Sequence, residues 1–325
     1  MARKVVLDVD TGIDDALALL LALRSPELEV LGVTCVAGNV TIDHVTRNTL
    51  AVLELASAHI PVAVGARKPL LAILRTATTV HGINGLADVE MPVPRITPIE
   101  ESAPSFLCRM AREHRSELTV IAVGPLTNIA LAVLLDRDFA TNLGDLVIMG
   151  GAVSFPGNAT PAAEANFSND PEAAAAVAAS GARFRLVDLG ATTPALLPEE
   201  RLNRVRSHGL SQVADLSLKL LRFYSAYHFR TGVPGSILHD PLAVGLTANP
   251  ETATYVPMHL TVETGGELSR GASIGNFNGW VGNLVQDDDH VDFAGVDPVP
   301  MNATLARKVD VPRFLDEFMT RLELE

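Results

Sequence analysis

The sequence predicts an α/β protein: an open, mainly parallel sheet covered by helices on both faces. Two observations lead there. Short β-rich runs alternate with helical patterns through the first half of the chain, as parallel sheets with crossover helices require. The chain also has the material for a large core: 325 residues, 48% hydrophobic and only 19% charged.

The elements follow in order. Residues 5–9, opening Val-Val-Leu, read as a buried strand, and 14–23, a Leu/Ala run behind two carboxylates, as a helix. The next strand spans 28–36, the next helix 42–58, and a short strand 61–65. Residues 67–104 hold several prolines and form the longest weakly patterned segment; such long loops are often functional. Helical periodicity returns at 106–113, followed by a strand at 118–123, a helix at 126–135 and a strand at 145–149. Residues 171–180 are helical and 183–189 a further strand. The second half carries helices at 199–207 and 211–230 and a half-exposed strand at 254–262. Residues 270–291, rich in Gly and Asn, read as loops or hairpins; they include Trp280 and the run Asp287-Asp288-Asp289, a solvated acidic loop. A strand at 304–309 and an amphipathic helix at 311–322 close the chain. With no repeat, low-complexity tract or linker, residues 1–325 are expected to form one domain.

Charge narrows the function. Acids outnumber bases 38 to 25, giving a net charge of -13. A nucleic-acid partner is excluded, because polyanion binding needs a basic footprint. Only four residues are Lys, which disfavours substrates with several phosphates. Cys35 and Cys108 read as reduced, buried thiols rather than a disulfide framework. The N-terminus lacks the apolar core of a signal peptide, and no stretch reaches the length of a membrane span. A cytoplasmic protein is the expectation.

The most informative stretch is Asp8-Val9-Asp10-Thr11-Gly12-Ile13-Asp14-Asp15-Ala16. Four carboxylates crowd a strand end and a helix start, and Gly12 permits the tight turn between them. One Asp there would be a helix cap. Four repel one another, and a hard cation with oxygen ligands, Ca²⁺ or Mg²⁺, accounts for the crowding. The absence of nearby Cys and the scarcity of His argue against zinc. His239-Asp240-Pro241, before a helical run, is a candidate source of a further ligand.

Other polar groups also follow predicted strands. They are Ala37-Gly38-Asn39, Val123-Gly124-Pro125-Leu126-Thr127-Asn128 and Met149-Gly150-Gly151. A free carbonyl at the second of these can ligate a metal. Glu164-Ala165-Asn166-Phe167 places two polar groups on one side if the segment is extended. Asp14, Asn39, Glu164 and Asn166 would suit the vicinal hydroxyls of a sugar, and not phosphate, which wants Arg, Lys or a Gly-rich nest. His81 lies in the long weakly patterned segment. Tyr224, Tyr227 and His228, on the 211–230 helix, offer an aromatic lid over a heterocycle, with Phe167 opposite.

These motifs, in this order and spacing from residue 5 to about 320, resemble the inosine-uridine-preferring nucleoside hydrolases. The resemblance implies an open α/β fold with Ca²⁺ at the bottom of a deep pocket. Asp10, Asp15 and Asp240 would hold the metal, with the main-chain carbonyl of Val123, which stands where the family usually has Thr. Asp14, Asn39, Glu164 and Asn166 would grip the ribose, with Asn158 and Met149 nearby. His239 would lie near the base and help the leaving group take a proton, with Tyr227 beside it. His81 would be a pocket histidine; Asn84 departs from the Asp often found there. Family members are often homodimers or homotetramers.

The chemistry is consistent with that resemblance. N-glycosidic hydrolysis passes through an oxocarbenium-like state, which carboxylates around the sugar stabilise. The metal lowers the pKa of a bound water, and Asp10 is the candidate base. His239 and Tyr227 point to a pyrimidine or broad base preference. Two rivals remain at this level. A Ca²⁺-dependent nucleoside- or sugar-binding protein would keep the pocket without turnover. A haloacid-dehalogenase-like phosphatase would use Asp8-Val9-Asp10, but it wants Thr or Val where this chain has Gly12, and a downstream Lys.

Overall fold

The computed structural model describes residues 2–206, 208–286 and 291–325, with backbone only at 280–286, 291–294 and 296. Asp287, Asp288 and Asp289 lie outside the described residues, as does the side chain of Trp280. The strands are β1 (Arg3–Val9), β2 (Leu28–Cys35), β3 (Val62–Val64), β4 (Leu118–Ala122), β5 (Asp145–Met149), β6 (Phe184–Val187), β7 (Leu196–Pro198), β8 (Gly235–Ile237), β9 (Thr254–Val262), β10 (Ser273–Asn276), β11 (Trp280–Gln286), β12 (Val291–Pro298) and β13 (Ala303–Arg307).

Nine of them form one sheet in the order β10-β9-β13-β6-β5-β4-β1-β2-β3. From β3 to β13 every pairing is parallel. β9 runs antiparallel to β13, and β10 to β9, so the sheet is mixed at one edge. Small two-stranded sheets, β7 with β8 and β11 with β12, stand apart.

Alternate residues of the central strands feed separate cores. Val5, Leu7 and Val9 pack with helices Ile13–Leu23, Ile42–Leu55, Gln212–Arg230 and His239–Ala248. Val6, Val120 and Ala122 pack on the other face with helices Ala103–His114, Thr127–Leu135 and Pro171–Ala178. Helix Ile13–Leu23 is buried from Ile13 to Ala22, which explains why, beyond Asp14 and Asp15 in its first turn, it is apolar all round rather than amphipathic. Each fully buried Leu or Val contributes about 1.5–3 kcal/mol of transfer free energy.

Two features position the site. From β1 the chain builds β2 and β3 on one side, then crosses to β4 on the other. Strand order therefore reverses at β1/β4, and the crevice beyond the carboxyl ends of those strands is where such sheets bind ligands. The acidic stretch leaves β1 into that crevice, and Val123 leaves β4 beside it.

Several local expectations are revised. The weakly patterned 67–104 segment holds a short helix, Thr78–His81, and a parallel bridge from Ile99 to Ala63. Glu164–Phe167 is not extended: Glu164 caps helix Ala165–Asn169, because its carboxylate accepts from the backbone ahead of it. Residues 270–291 are not merely loops. They supply edge strand β10 and strand β11, which pairs antiparallel with β12; Gly and Asn are tolerated there because these strands lie at the sheet edge and outside the main sheet. No helix among the described residues is long and apolar enough to cross a membrane.

Candidate active site

Asp10 and Asp15 meet at the end of β1. Asp15 turns both oxygens back onto the loop that precedes it. Its Oδ1 accepts from the Asp10 amide at 2.9 Å, and its Oδ2 from the Gly12 amide and Asn39 Nδ2, both at 3.0 Å. Asp10 Oδ2 accepts from the Asn39 amide at 2.7 Å, while its Oδ1 is buried with no hydrogen-bond partner. Two glycines make this approach possible. A Cβ at Gly38 would collide with Asp10 Oδ2, and one at Gly124 would press within 3.0 Å of Oδ1.

Asp14, one residue along the same helical turn, holds the far side of the site. Its Oδ2 accepts from the His239 and Asp240 amides, both at 3.0 Å, at the start of helix His239–Ala248. Its Oδ1 is another buried oxygen without a partner. Asp240 is thereby brought over from more than 200 residues away. Burial, then the charges of Asp14, Asp15, Asp10 and Glu164, hold its carboxyl well above the usual range. Burial is likewise the main cause of the upward shifts of Asp10, Asp14 and Asp15.

The sugar-side residues are present, in altered company. Both oxygens of Glu164 face backbone donors: Oε1 accepts from the Asn166 amide at 2.8 Å, Oε2 from Gly151 at 2.9 Å and Phe167 at 3.1 Å. Burial still pushes Glu164 up to about 7. Asn166 Nδ2 donates to the Val123 carbonyl at 2.7 Å and to the Met149 carbonyl at 3.2 Å. One lone pair of the Val123 oxygen is therefore taken by Asn166, and the other remains available. Asn158, exposed, accepts from the Ala165 amide at 2.9 Å and braces the same turn. Phe167 does not face the aromatic helix. It is 1% exposed and packs in the core beneath Gly150 and Gly151, because a helical turn points it inward.

Opposite the acids lies an aromatic cluster. The rings of Tyr224 and His228 stand 4.3 Å apart, those of His81 and Tyr224 6.1 Å, and half-buried Tyr227 is 5.7 Å from His228. Nδ1 of His81 accepts from the Ile13 amide at 3.0 Å. Nδ1 of His239 lies 2.8 Å from Thr192 Oγ1. Burial lowers the ring pKa of His81 to about 4 and of His239 to about 3, so both are neutral near pH 7. Burial and the charges of Asp14 and Asp240 push the Tyr224 phenol up.

Below the site lies a layer whose bracing role the sequence does not reveal. Asp8, in period-two register with Asp10, is fully buried; its Oδ1 accepts from Thr34 Oγ1 at 2.6 Å and Asn128 Nδ2 at 2.8 Å. Asn128 also donates to the Cys35 carbonyl and accepts from the Ala66 amide, linking the ends of β1, β2 and β3. The Asp8–Asp10 spacing and Asn128's place in a quoted motif were the available signals. Asn84 staples its own turn, accepting from the Leu86 and Asp88 amides.

Among the described residues, no three His, Cys, Asp or Glu side chains are grouped as a ready metal cage. The oxygens of Asp15 are turned to backbone and Asn39 donors, and the Val123 carbonyl to Asn166. The donor set nevertheless fits a hard cation: all oxygen, mutually repelling, with Asp10 Oδ1 and Asp14 Oδ1 both buried and without a hydrogen-bond partner.

Comparison with known proteins identifies the family. The model of the family described as inosine-uridine preferring nucleoside hydrolase matches residues 5–316. The chain is 42% identical to "Uridine nucleosidase 1" of Arabidopsis thaliana, over 81% of this chain and 79% of that protein. It is 36% identical to the "Pyrimidine-specific ribonucleoside hydrolase RihA" of Salmonella typhimurium, over 99% of each. Among solved structures, a purine-preferring ribonucleoside hydrolase from Gardnerella vaginalis superposes with a TM-score of 0.88 at 33% identity, over 98% of each chain. The chain belongs to the inosine-uridine preferring nucleoside hydrolase family.

Proposed function

We propose that this protein is a Ca²⁺-dependent ribonucleoside hydrolase with a pyrimidine or broad base preference, acting as one catalytic domain over residues 1–325. The observation that carries the reading is the buried, unpartnered Asp10 Oδ1, set among Asp14, Asp15 and Asp240 at the strand-order reversal. Asp10, Asp15 and Asp240 would hold the cation with the Val123 carbonyl, whose second lone pair remains when Asn166 keeps the first. When bound, Ca²⁺ neutralises the crowded acids and makes water more acidic.

The chain's own residues do the rest. Asp10 takes a proton from the attacking water as its oxygen bonds to the ribose C1′. The C1′–N bond breaks, its electron pair leaves with the base, the base nitrogen takes a proton from solvent, and Asp10 releases the proton it accepted. Asp14, Asn39, Glu164 and Asn166, with Asn158 and Met149 behind them, hold the hydroxyls and stabilise positive charge developing on the ring. His239 and His81, both neutral, and Tyr227 serve the departing base by donating hydrogen bonds that stabilise its developing negative charge until solvent protonates it. Relatives named for uridine and pyrimidine nucleosides support the base preference, and the purine-preferring structural neighbour supports breadth. Assembly as a homodimer or homotetramer belongs to the same proposal; light scattering on a sizing column tests it.

The deciding assay is ribose release from uridine, cytidine, inosine, adenosine and a 2′-deoxynucleoside, with and without a strong calcium chelator. Release that vanishes with chelator and with the deoxy sugar is the expected result. No release from any nucleoside by folded, calcium-loaded protein would instead favour a nucleoside-binding protein without turnover.

A further inference from the structure

We infer that Thr192 is a positioning residue: its hydroxyl turns the His239 ring so that Nε2 carries the ring hydrogen and faces the substrate base. The inference rests on the role given to His239 above.

The hydrogen-bond pattern fixes the direction. Thr192 is fully buried, and its Oγ1 has one partner among the described residues, Nδ1 of His239 at 2.8 Å. A hydroxyl has one hydrogen to place. If Nδ1–H donated to Oγ1, the hydrogen of the fully buried hydroxyl would be left without an acceptor among the described residues. The arrangement that satisfies both groups has Thr192 donating to Nδ1, which leaves the hydrogen on Nε2. The ring of His81 obeys the same logic. Its Nδ1 accepts from the Ile13 amide, so its hydrogen also sits on Nε2. Two histidines thus have Nδ1 occupied by protein donors and Nε2–H left to offer.

Thr192 is held well enough to position another group. It ends helix Leu189–Thr192, capped by Asp188 through the Ala191 amide at 3.2 Å. The other oxygen of Asp188 accepts from the Val153 and Ser154 amides, tying the loop after β5 to the same cap. Beyond Thr192, the Leu238 amide donates to the Ala195 carbonyl at 3.0 Å, and Leu196 pairs with Ile237 between β7 and β8. His239 therefore follows a strand registered against the segment that carries Thr192. Its amide is pinned by Asp14. Rotation of the ring is the freedom that remains, and the Thr192 hydroxyl removes it.

The test uses the full chain with Thr192→Val, Thr192→Ser and His239→Ala, assayed on uridine and on 4-nitrophenyl riboside, whose leaving group needs little assistance. Thr192→Val is expected to lower kcat on uridine by roughly 10–100-fold, with KM little changed and a clearly smaller loss on the aryl riboside. Thr192→Ser, which keeps the hydroxyl, is expected to recover most of the loss. Equal losses of Thr192→Val on both substrates, or no difference between the Val and Ser variants, would overturn the inference. Selective loss on uridine in His239→Ala but not in Thr192→Val would overturn it alone. Equal losses on both substrates in His239→Ala would overturn the role of His239 and the inference together. Long-range ¹H–¹⁵N spectra of histidine-labelled protein give a readout independent of turnover. His239 is expected as the Nε2–H tautomer in the parent and in Thr192→Ser, and as a mixture in Thr192→Val. An Nδ1–H tautomer in the parent would refute the assignment.

Discussion

Asp10 sits in a groove walled by Gly38 after β2 and Gly124 after β4, and that confinement makes its surroundings testable. Asp10→Asn keeps the shape and the Asn39 contact but removes the proton acceptor. It is expected to cut kcat by about 10²–10⁴-fold while circular dichroism stays that of the parent. Near-normal kcat would end the assignment of Asp10 as base. Gly38→Ala is the steric counterpart. The added methyl has no room beside Asp10 Oδ2, so the carboxylate must move. Displacements of about 1 Å can cost 10²-fold in rate, so a comparable loss in kcat/KM is expected from a residue that touches no substrate. An alanine variant with full activity would show that the groove is looser than these distances imply. The acids were legible in the sequence because crowding of like charges is itself a signal. The glycine walls were not, since a glycine's neighbours are known only once strands are side by side.

At the scale of elements, carboxylates hold backbone as much as they line the pocket. Asp14 bonds the first amides of helix His239–Ala248, Glu164 caps helix Ala165–Asn169, and Asp188 caps Leu189–Thr192. Asp188→Ala is expected to cost about 1–2 kcal/mol from the lost cap and the two stranded amides of Val153 and Ser154. Urea titration would read this as a lower midpoint at unchanged slope. An unchanged midpoint would mean that water satisfies those amides. The long helices and the parallel strands were legible because burial imposes a period and a length. Helix Ala165–Asn169 was not. In Glu164-Ala165-Asn166-Phe167 the side-chain pattern suits a strand, and only the cap at Glu164 turns it into a helix that buries Phe167. For edge strand β10 the sequence leaves loop and hairpin both open, because its Gly and Asn are poor strand formers; pairing with β9 outweighs that preference.

For the whole molecule, the buried acids set how stability depends on pH. Asp8 and Glu164 have folded pKa values pushed up to about 7 from 3.8 and 4.5. Each therefore binds a proton more tightly in the folded state, and the stability this gives is lost as pH rises from about 4 to about 7. The neutral histidines act the other way. His81 and His228, lowered to about 4, and His239, lowered to about 3, favour folding as pH rises towards 6.5. Between about pH 4 and 6.5 the two sets oppose each other, and above 6.5 only the acids still titrate. Metal-free protein is thus expected to melt at a lower temperature at pH 8 than at pH 6.5. At one fixed calcium concentration the restoration should be larger at pH 8, where the ionised acids bind the cation more tightly, and it reaches about 2.7 kcal/mol where calcium stands at 100 times its Kd. A melting temperature indifferent to calcium at pH 8 would count against a cation among these acids.

By itself, the sequence determined the sheet class, the acids at the end of β1 and the family. All three are written locally, in apolar periodicity and in the spacing of charged residues within one strand–turn–helix unit. The tertiary structure decided what each polar atom faces. It gave Asp14 to the amides of His239 and Asp240, the Val123 carbonyl to Asn166, and Nδ1 of His239 to Thr192. Those partners are dozens to hundreds of residues apart in the chain. They meet because the strand order reverses at β1/β4 and burial there forces each donor to find an acceptor. A linear sequence records that these groups exist, and only the packed fold settles which of them are within reach of one another.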